Sequence, residues 1–312
     1  MDKLQAHRDT SDINSRLLTE IVFGGKEKRA MYERAVAEAK EVGYLPDLTA
    51  PEMSRVDAYS HVYEQSLRFK KTKTIDFMSD NIPDYFLYLN NVHVRGGVGL
   101  LMSLHLIMVL GTDEQARQWA PKIASRDWIA CYAQTELAHG SDVQNLQTIA
   151  TFDNKTQEFI IHTPSVDAIK WWPGDLGVSA THGVIMVRLL SNGVDNGVFP
   201  LFIQLRDLNT HKALPGLEIG DIGPKLGYHS KDNGFLRFDN FRVPKSSLLG
   251  RYYRIDEEGN FKTVGNPKII YSSMMESRTA LMNMHCAAIF KGLQIVGRYS
   301  ILRTQFKDEK GV

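Results

Sequence analysis

Two short stretches hold most of the side chains that could do chemistry. "CYAQTELAHGSD", residues 131–142, leaves an apolar run and gathers Thr135, Glu136, His139, Gly140, Ser141 and Asp142. "IKWWPGDLG", residues 169–177, sets two adjacent tryptophans before Pro-Gly. Successive side chains of a strand point to opposite faces, so Trp171 and Trp172 should divide, one into the core and one toward a cavity. Alone, the second stretch reads as a core Trp followed by a tight turn. Beside a Thr/Gly/Ser-rich wall on a neighbouring strand, it suggests a planar ligand. Hydroxyl and backbone N–H groups would bond the ligand's edge and an indole would cover its face.

Other chemistries find little support. "RGGVG" at 95–99 lacks the strand–turn–helix setting of a dinucleotide site, and the chain has no P-loop lysine pattern and no GxSxG elbow. No two of the ten histidines stand at metal-ligand spacing beside Cys or carboxylates, so no zinc site is expected. Cys131 and Cys286 sit among apolar residues without a CxxC partner and read as buried free thiols in a reducing compartment. A formal net charge of +1 gives no basis for a nucleic-acid or membrane-surface partner. The cluster Lys70, Lys71, Lys73 reads as a solvated helix face, with a ligand phosphate as the minority alternative.

The elements that must position these residues change character along the 312-residue chain, which is too long for one small core. The first third is helical. "KEKRAMYERAVAEAKEVG" stops at Gly43 and Pro46. Thr49 with Glu52, and again Thr112 with Gln115, make capping-box patterns. "VGLLMSLHLIMVL", 98–110, is shorter than the ~20 residues that span a bilayer and carries Ser103 and His105, so it reads as a buried helix. From residue 131 to about 250, "LQTIATFDNKTQEFIIHTP", "HGVIMVRLL", "GVFPLFIQL" and "GFLRFDNFRVP" read as antiparallel β-structure separated by turn residues. From Tyr271 a helical period returns over a long Met- and Leu-rich segment. The expected class is α+β: a helical domain over 1–130, a β-barrel-like domain over 131–265, and the first helix of a further helical domain over 266–312. The N-terminus has no signal-peptide core, and the end, "KDEKGV", is not an SKL-type address and reads as an interruption.

"CYAQTELAHGSD", "IKWWPGDLG", "GDIGPKLGYHSKDNGFLRFDNFRVP" and "RYSILRTQF" resemble, in this order and across nearly the whole chain, the peroxisomal acyl-CoA oxidases of the acyl-CoA dehydrogenase superfamily. "WWPG" and the absence of Pro after Glu136 point to the oxidases. The resemblance implies an FAD site on the β domain. Thr135 would bond the isoalloxazine edge, Tyr132, Ala133 and Gln134 would line the same strand, and Gly174 would let the backbone approach the ring. Gly140 and Ser141 would lie near the flavin phosphate and the pantetheine. Tyr271 and Arg278 would place acyl-CoA, and Arg303 would reach the FAD pyrophosphate of a partner subunit, with Gln305 and Phe306 as weaker matches. Without the resemblance both arginines would read as ordinary exposed helix positions. Glu136 is expected to be structural.

The implied activity is desaturation of a fatty acyl-CoA to the trans-2-enoyl-CoA, the first step of peroxisomal β-oxidation. A glutamate takes the α-proton, flavin takes the β-hydride, and oxygen leaves as hydrogen peroxide. A homodimer or related heterodimer in the peroxisome is implied. The family's glutamate would fall beyond residue 312, so no catalytic residue is assigned. Two alternatives stay open: a short non-catalytic flavin- or subunit-binding form, and an acyl-CoA dehydrogenase.

Overall fold

A computed structural model describes residues 2–43, 52–69, 97–227, 229, 231–266, 269–304 and 306–307. The chain divides into a helical unit (Met1–Asp47, Leu67–Val92, Arg278–Val312) and a β unit (Leu48–Ser66, His93–Ser277).

The helical unit opens with α1 (Asp2–Asp9), α2 (Ser15–Val22) and α3 (Lys26–Glu41). Asn14 caps α2, its side chain accepting from the Leu17 N–H at 3.0 Å. Beyond α3, Gly43 takes the left-handed conformation (φ +71°) that a helix end favours, and the Arg68 guanidinium donates to its carbonyl at 3.1 Å. Pro46, Thr49 and the Lys70–Lys71–Lys73 cluster lie outside the described residues.

The β unit holds most of α4 (Arg55–Phe69), then α5 (Gly97–Leu110) and α6 (Asp113–Ala124). The Thr112–Gln115 capping box forms as expected, and Gln115 also donates to the Ser246 and Leu248 carbonyls at 2.8 Å. Leu104, Leu106, Ile107 and Leu110 of α5 are buried against Ala120 and Ile123 of α6 and against Ala130, Val184 and Phe202, so the apolar run is a helix buried along one side, with Leu101 and Met108 exposed. Among the described residues no helix is long and apolar enough to cross a membrane.

Among the described residues eleven strands follow: β1 (Ala130–Ala133), β2 (Ile149–Asp153), β3 (Glu158–His162), β4 (Lys170–Gly174), β5 (His182–Ser191), β6 (Val194–Gln204), β7 (Leu217–Asp221), β8 (Asn233–Phe238), β9 (Phe241–Pro244), β10 (Tyr253–Ile255) and β11 (Phe261–Thr263). One sheet runs β1-β5-β2-β3-β9 with β6 on β5, a second runs β4-β8-β7, and β10 pairs β11. The hairpins are antiparallel as the turn residues require. However, β1 and β2 both run parallel to β5, facing His182–Ile185 and Arg188–Leu190 in turn. Alternation in a sequence marks strands but not their partners, and neither β1 nor β2 is joined to β5 by a hairpin. Phe152, Phe159, Ile161, Val187, Leu201, Leu236 and Phe238 are among the buried residues between the sheets.

The long helix, α7 (Ile269–Leu302), begins in the β unit and continues in the helical unit. The expectation of two buried thiols holds for Cys131 and fails for Cys286, which is exposed on α7. Ile289, Leu293, Ile295 and Val296 of the same helix are exposed too, so the apolar neighbours read in the sequence do not enclose the thiol.

Candidate functional site

The site grows from one feature of the large sheet. The chain leaves the edge of β5 after Ala133, opposite Ile185, and rejoins that edge at Ile149, opposite Arg188. Residues 134–148 are therefore an excursion whose two ends lie close together, and Glu136 closes it. Its carboxylate accepts the Gln147 N–H (2.7 Å), the Thr148 N–H (2.9 Å) and the Thr148 hydroxyl (2.7 Å). The Lys170 ammonium, also fully buried, donates to Glu136 Oε1 at 3.0 Å and to the Gln134 carbonyl at 3.1 Å.

Burial opposes ionisation of Glu136, but the Lys170 charge and the bonds from Gln147 and Thr148 outweigh it and hold the carboxyl below its ordinary range. Burial draws Lys170 down to about 8, against the pull of Glu136. A carboxylate this fully occupied is not available as a base, which agrees with the structural role expected of it.

The excursion also joins the two sheets. The Trp171 N–H donates to the Thr135 carbonyl at 2.9 Å, the Leu137 N–H to Ile169 at 2.9 Å, and the Ala138 N–H to Asp167 at 3.1 Å. "TELA" thus lies antiparallel to the approach of β4, which brings the two sequence stretches together. Past Trp171 the register of β4 on β8 slips, and Trp172 takes φ +65°. Directions here follow this bulge rather than the pleat, so the simple opposite-face expectation is replaced. Trp171 stacks on Phe235 with ring centroids 6.1 Å apart, and Trp172 is 59% exposed.

The bulge is pinned from residues 231–233. Asn233 donates to the Trp172 carbonyl at 2.7 Å, the Asp175 N–H to the Asp232 carbonyl at 2.7 Å, and the Lys231 ammonium to Asp175 Oδ1 at 2.9 Å.

The expected site residues fall into two groups. On the β unit, Ala133 is buried, Tyr132 is half-buried and donates its hydroxyl to Gln134 Oε1, and Thr135 follows half-buried. Burial pushes the Tyr132 phenol well above its ordinary range. Gly140 and Ser141 are exposed, and Gly140 folds back on Thr135: a Cβ there would stand 3.4 Å from Thr135 Cγ2. A Cβ on Gly174 would meet Lys231 Cε, a side-chain atom, at 3.1 Å. Tyr271 lies in the first turn of α7.

The second group, Arg278 and Arg303, belongs to the helical unit, where both are exposed and the Arg303 N–H donates to the Tyr299 carbonyl at 2.8 Å. Phe306 is exposed and Gln305 lies outside the described residues. Lys170, Asp175 and Lys231 were not singled out from the sequence. The signal for Lys170 was a lysine amid an apolar run, which must find a buried anion. Among the described residues no group of three His, Cys, Asp or Glu could hold a metal ion.

The fold is a β domain entered and left by helices, in which the "TELA" segment pairs with the approach to the Trp-Pro-Gly bulge. No protein-family model matches the chain. It is 35% identical to acyl-coenzyme A oxidase acox-1.1 of Caenorhabditis elegans over 98% of its own length and 46% of that protein. It is 33% identical to human peroxisomal acyl-coenzyme A oxidase 1 over 99% of the chain and 47% of the relative. Among solved structures, Arabidopsis thaliana acyl-CoA oxidase 1 superposes with a TM-score of 0.84 at 32% identity, covering 98% of this chain and 47% of that one. Acyl-CoA oxidase-1 of C. elegans complexed with FAD and ATP gives 0.84 at 29% identity, over 100% and 48%. By sequence and by fold the chain belongs to the acyl-CoA oxidase family, and it spans about half the length of the relatives it matches.

Proposed function

We propose that this chain is the FAD-bearing portion of an acyl-CoA oxidase that converts fatty acyl-CoA to trans-2-enoyl-CoA with release of hydrogen peroxide. The observation that carries this reading is the Trp171–Thr135 hydrogen bond at 2.9 Å, which sets the hydroxyl-bearing end of the β1 segment beside the Trp-Pro-Gly bulge. The residues fit a flavin. Thr135 is half-buried and its Oγ1 engages no other described side chain or backbone group, and Gly140 and Gly174 lack a Cβ beside Thr135 and Lys231.

When bound, the flavin supplies hydride acceptance and oxygen reactivity. The chain's own residues do the rest. Thr135 bonds the edge of the ring system, Tyr132, Ala133 and Gln134 shape the strand beneath it, and Gly174 sets the approach distance. Gly140 and Ser141 border the phosphate and pantetheine groups. Tyr271 and Arg278 position acyl-CoA, and Arg303 serves the pyrophosphate held by a partner subunit. In this reading residues 131–265 are the flavin domain, between helical portions at 1–130 and 266–312. The enzyme is a peroxisomal homodimer or related heterodimer, in keeping with relatives named as peroxisomal oxidases.

The test is FAD titration of the purified chain followed by flavin fluorescence, with the bound flavin then reduced chemically and peroxide measured as it meets air. Quenched, stoichiometric binding supports the reading, and absence of binding rejects it. Reduced flavin that persists in air and is drained by an electron-transferring flavoprotein would make the protein a dehydrogenase instead.

A further inference from the structure

The WPG bulge carries a charged device that the flavin reading does not use. Lys231 lies along Gly174, with its Nζ 3.6 Å and its Cε 3.1 Å from where a Cβ on that glycine would stand. The ammonium is not a loose surface group. It donates to Asp175 Oδ1 at 2.9 Å, its side chain is only 20% exposed, and the Asp175 side chain is 1% exposed. The main chain of Lys231 is held as well, its carbonyl accepting from the Lys225 ammonium at 2.6 Å.

The charges around this point do not cancel. Asp175 faces Arg126 as well as Lys231, while Lys225 is set among Arg55, Lys231, Asp221 and Asp232. Asp221 is engaged by Arg55 at 2.6 Å, and Asp232 accepts the Val178 and Ser179 N–H groups and faces Arg206. Among these groups five are cationic (Arg55, Arg126, Arg206, Lys225, Lys231) and three anionic (Asp175, Asp221, Asp232), and Lys231 is the one whose side chain lies against Gly174.

We infer that Lys231 is a positioning and tuning residue of the cofactor site: it holds a fixed cation against the Gly174 wall and so favours the reduced, more negatively charged flavin over the oxidised one. The inference rests on the flavin reading given above. Two-electron reduction with uptake of one proton leaves the ring system with one added negative charge, which a neighbouring ammonium stabilises and the neutral oxidised ring does not call upon.

The experiment compares wild type with Lys231→Met, which keeps an unbranched side chain as far as Cε and removes the ammonium, and with Lys231→Arg, which keeps the charge. FAD affinity is measured by fluorescence, and the midpoint potential of bound FAD by equilibration with a reference dye of known potential. Lys231→Met should bind oxidised FAD nearly as wild type does, yet lose about tenfold in preference for the reduced form, a fall of roughly 30 mV for a two-electron couple. Lys231→Arg should restore most of the potential. Asp175→Asn, which removes the opposing charge while leaving an acceptor for Lys231, should move it upward. A merely structural role would lower affinity and melting temperature without opposite shifts in the two variants. If wild type binds FAD and Lys231→Met keeps the wild-type potential, the inference fails and the flavin reading stands. If wild type binds no FAD, both fail.

Discussion

Lys170 and Glu136 form a fully buried ion pair, Nζ to Oε1 3.0 Å, at the point where the 134–148 excursion closes and the two sheets meet. Neither charge has water to fall back on. Lys170→Met would leave the carboxylate buried without its cation, a change that typically costs about 3–5 kcal/mol. Glu136→Gln strands the ammonium in the same way. The double variant Lys170→Met/Glu136→Gln should be more stable than the sum of the single losses implies, with a coupling energy of about 0.5–3 kcal/mol, because neither partner is left charged. Urea unfolding of the four proteins measures this directly, and strict additivity would show that the pair does not act as a unit.

The candidate cofactor residues make a separate prediction. Thr135→Ala should weaken FAD binding roughly fivefold, the equivalent of one hydrogen bond of about 1 kcal/mol, with little change in melting temperature. Gly174→Val should bind FAD far more weakly and still fold, because the atom its Cβ meets at 3.1 Å is Lys231 Cε, a side-chain atom that can shift where backbone could not. Flavin fluorescence titration with a thermal melt on the same samples separates the two effects. Unchanged binding in Gly174→Val would remove that glycine from the site.

Much of this was legible in the residues. The Thr112–Gln115 cap, the β2–β3 and β5–β6 hairpins, the buried α5 and the long α7 are local patterns, and local patterns survive into the fold. The proximity of "TELAHG" to "WWPG" was also readable, since one hairpin separates them. Three things were not. The parallel placement of β1 and β2 on β5 depends on pairing across the domain. The slip at Trp172 depends on what Asn233 and Asp232 offer the bulge from another strand. The occupation of Glu136 by Lys170, Gln147 and Thr148 needs the excursion to close, which no spacing announces.

His182 gives the β unit a pH dependence. Its ring is buried between Trp128, with centroids 3.9 Å apart, and Phe202, at 5.5 Å. Burial, then the Lys122 charge, draws its pKa from 6.5 down to about 4. Between those values the unfolded chain takes up a proton that the folded one refuses, so stability falls as pH drops through this window and is fully retained above it. At about 1.4 kcal/mol per pH unit, the loss approaches roughly 3 kcal/mol by pH 4. His182→Phe keeps an aromatic ring in the stack and should flatten the slope of unfolding free energy between pH 6.5 and 4. An unchanged slope would place the titrating group elsewhere.

The turn that carries Gly174 is seated by two glycines packed back to back. A Cβ on Gly234 of β8 would lie 2.3 Å from the Gly177 nitrogen and 2.6 Å from its Cα. A Cβ on Gly177 would lie 3.0 Å from the Asp221 Cα. The obstacles at Gly234 are backbone, and they are held in place. The Arg206 guanidinium binds the Leu176 and Gly177 carbonyls at 2.9 Å and the Ala180 carbonyl at 2.6 Å. Gly234→Ala must therefore push β8 and the turn apart, and it should destabilise the β unit by at least the 1–3 kcal/mol typical of overpacking, which is about the scale of a well-filled core made one methyl too large. Because Asn233 and Asp232 pin the bulge from the adjoining residues, FAD affinity should fall with it. Gly292→Ala supplies the contrast. That glycine is inside α7 with nothing within 4 Å of its missing Cβ, so the same substitution should be neutral or stabilise by up to about 1 kcal/mol through helix propensity. Chemical denaturation of both variants tests the pair. Equal effects at the two positions would contradict the close approach of Gly234 to Gly177.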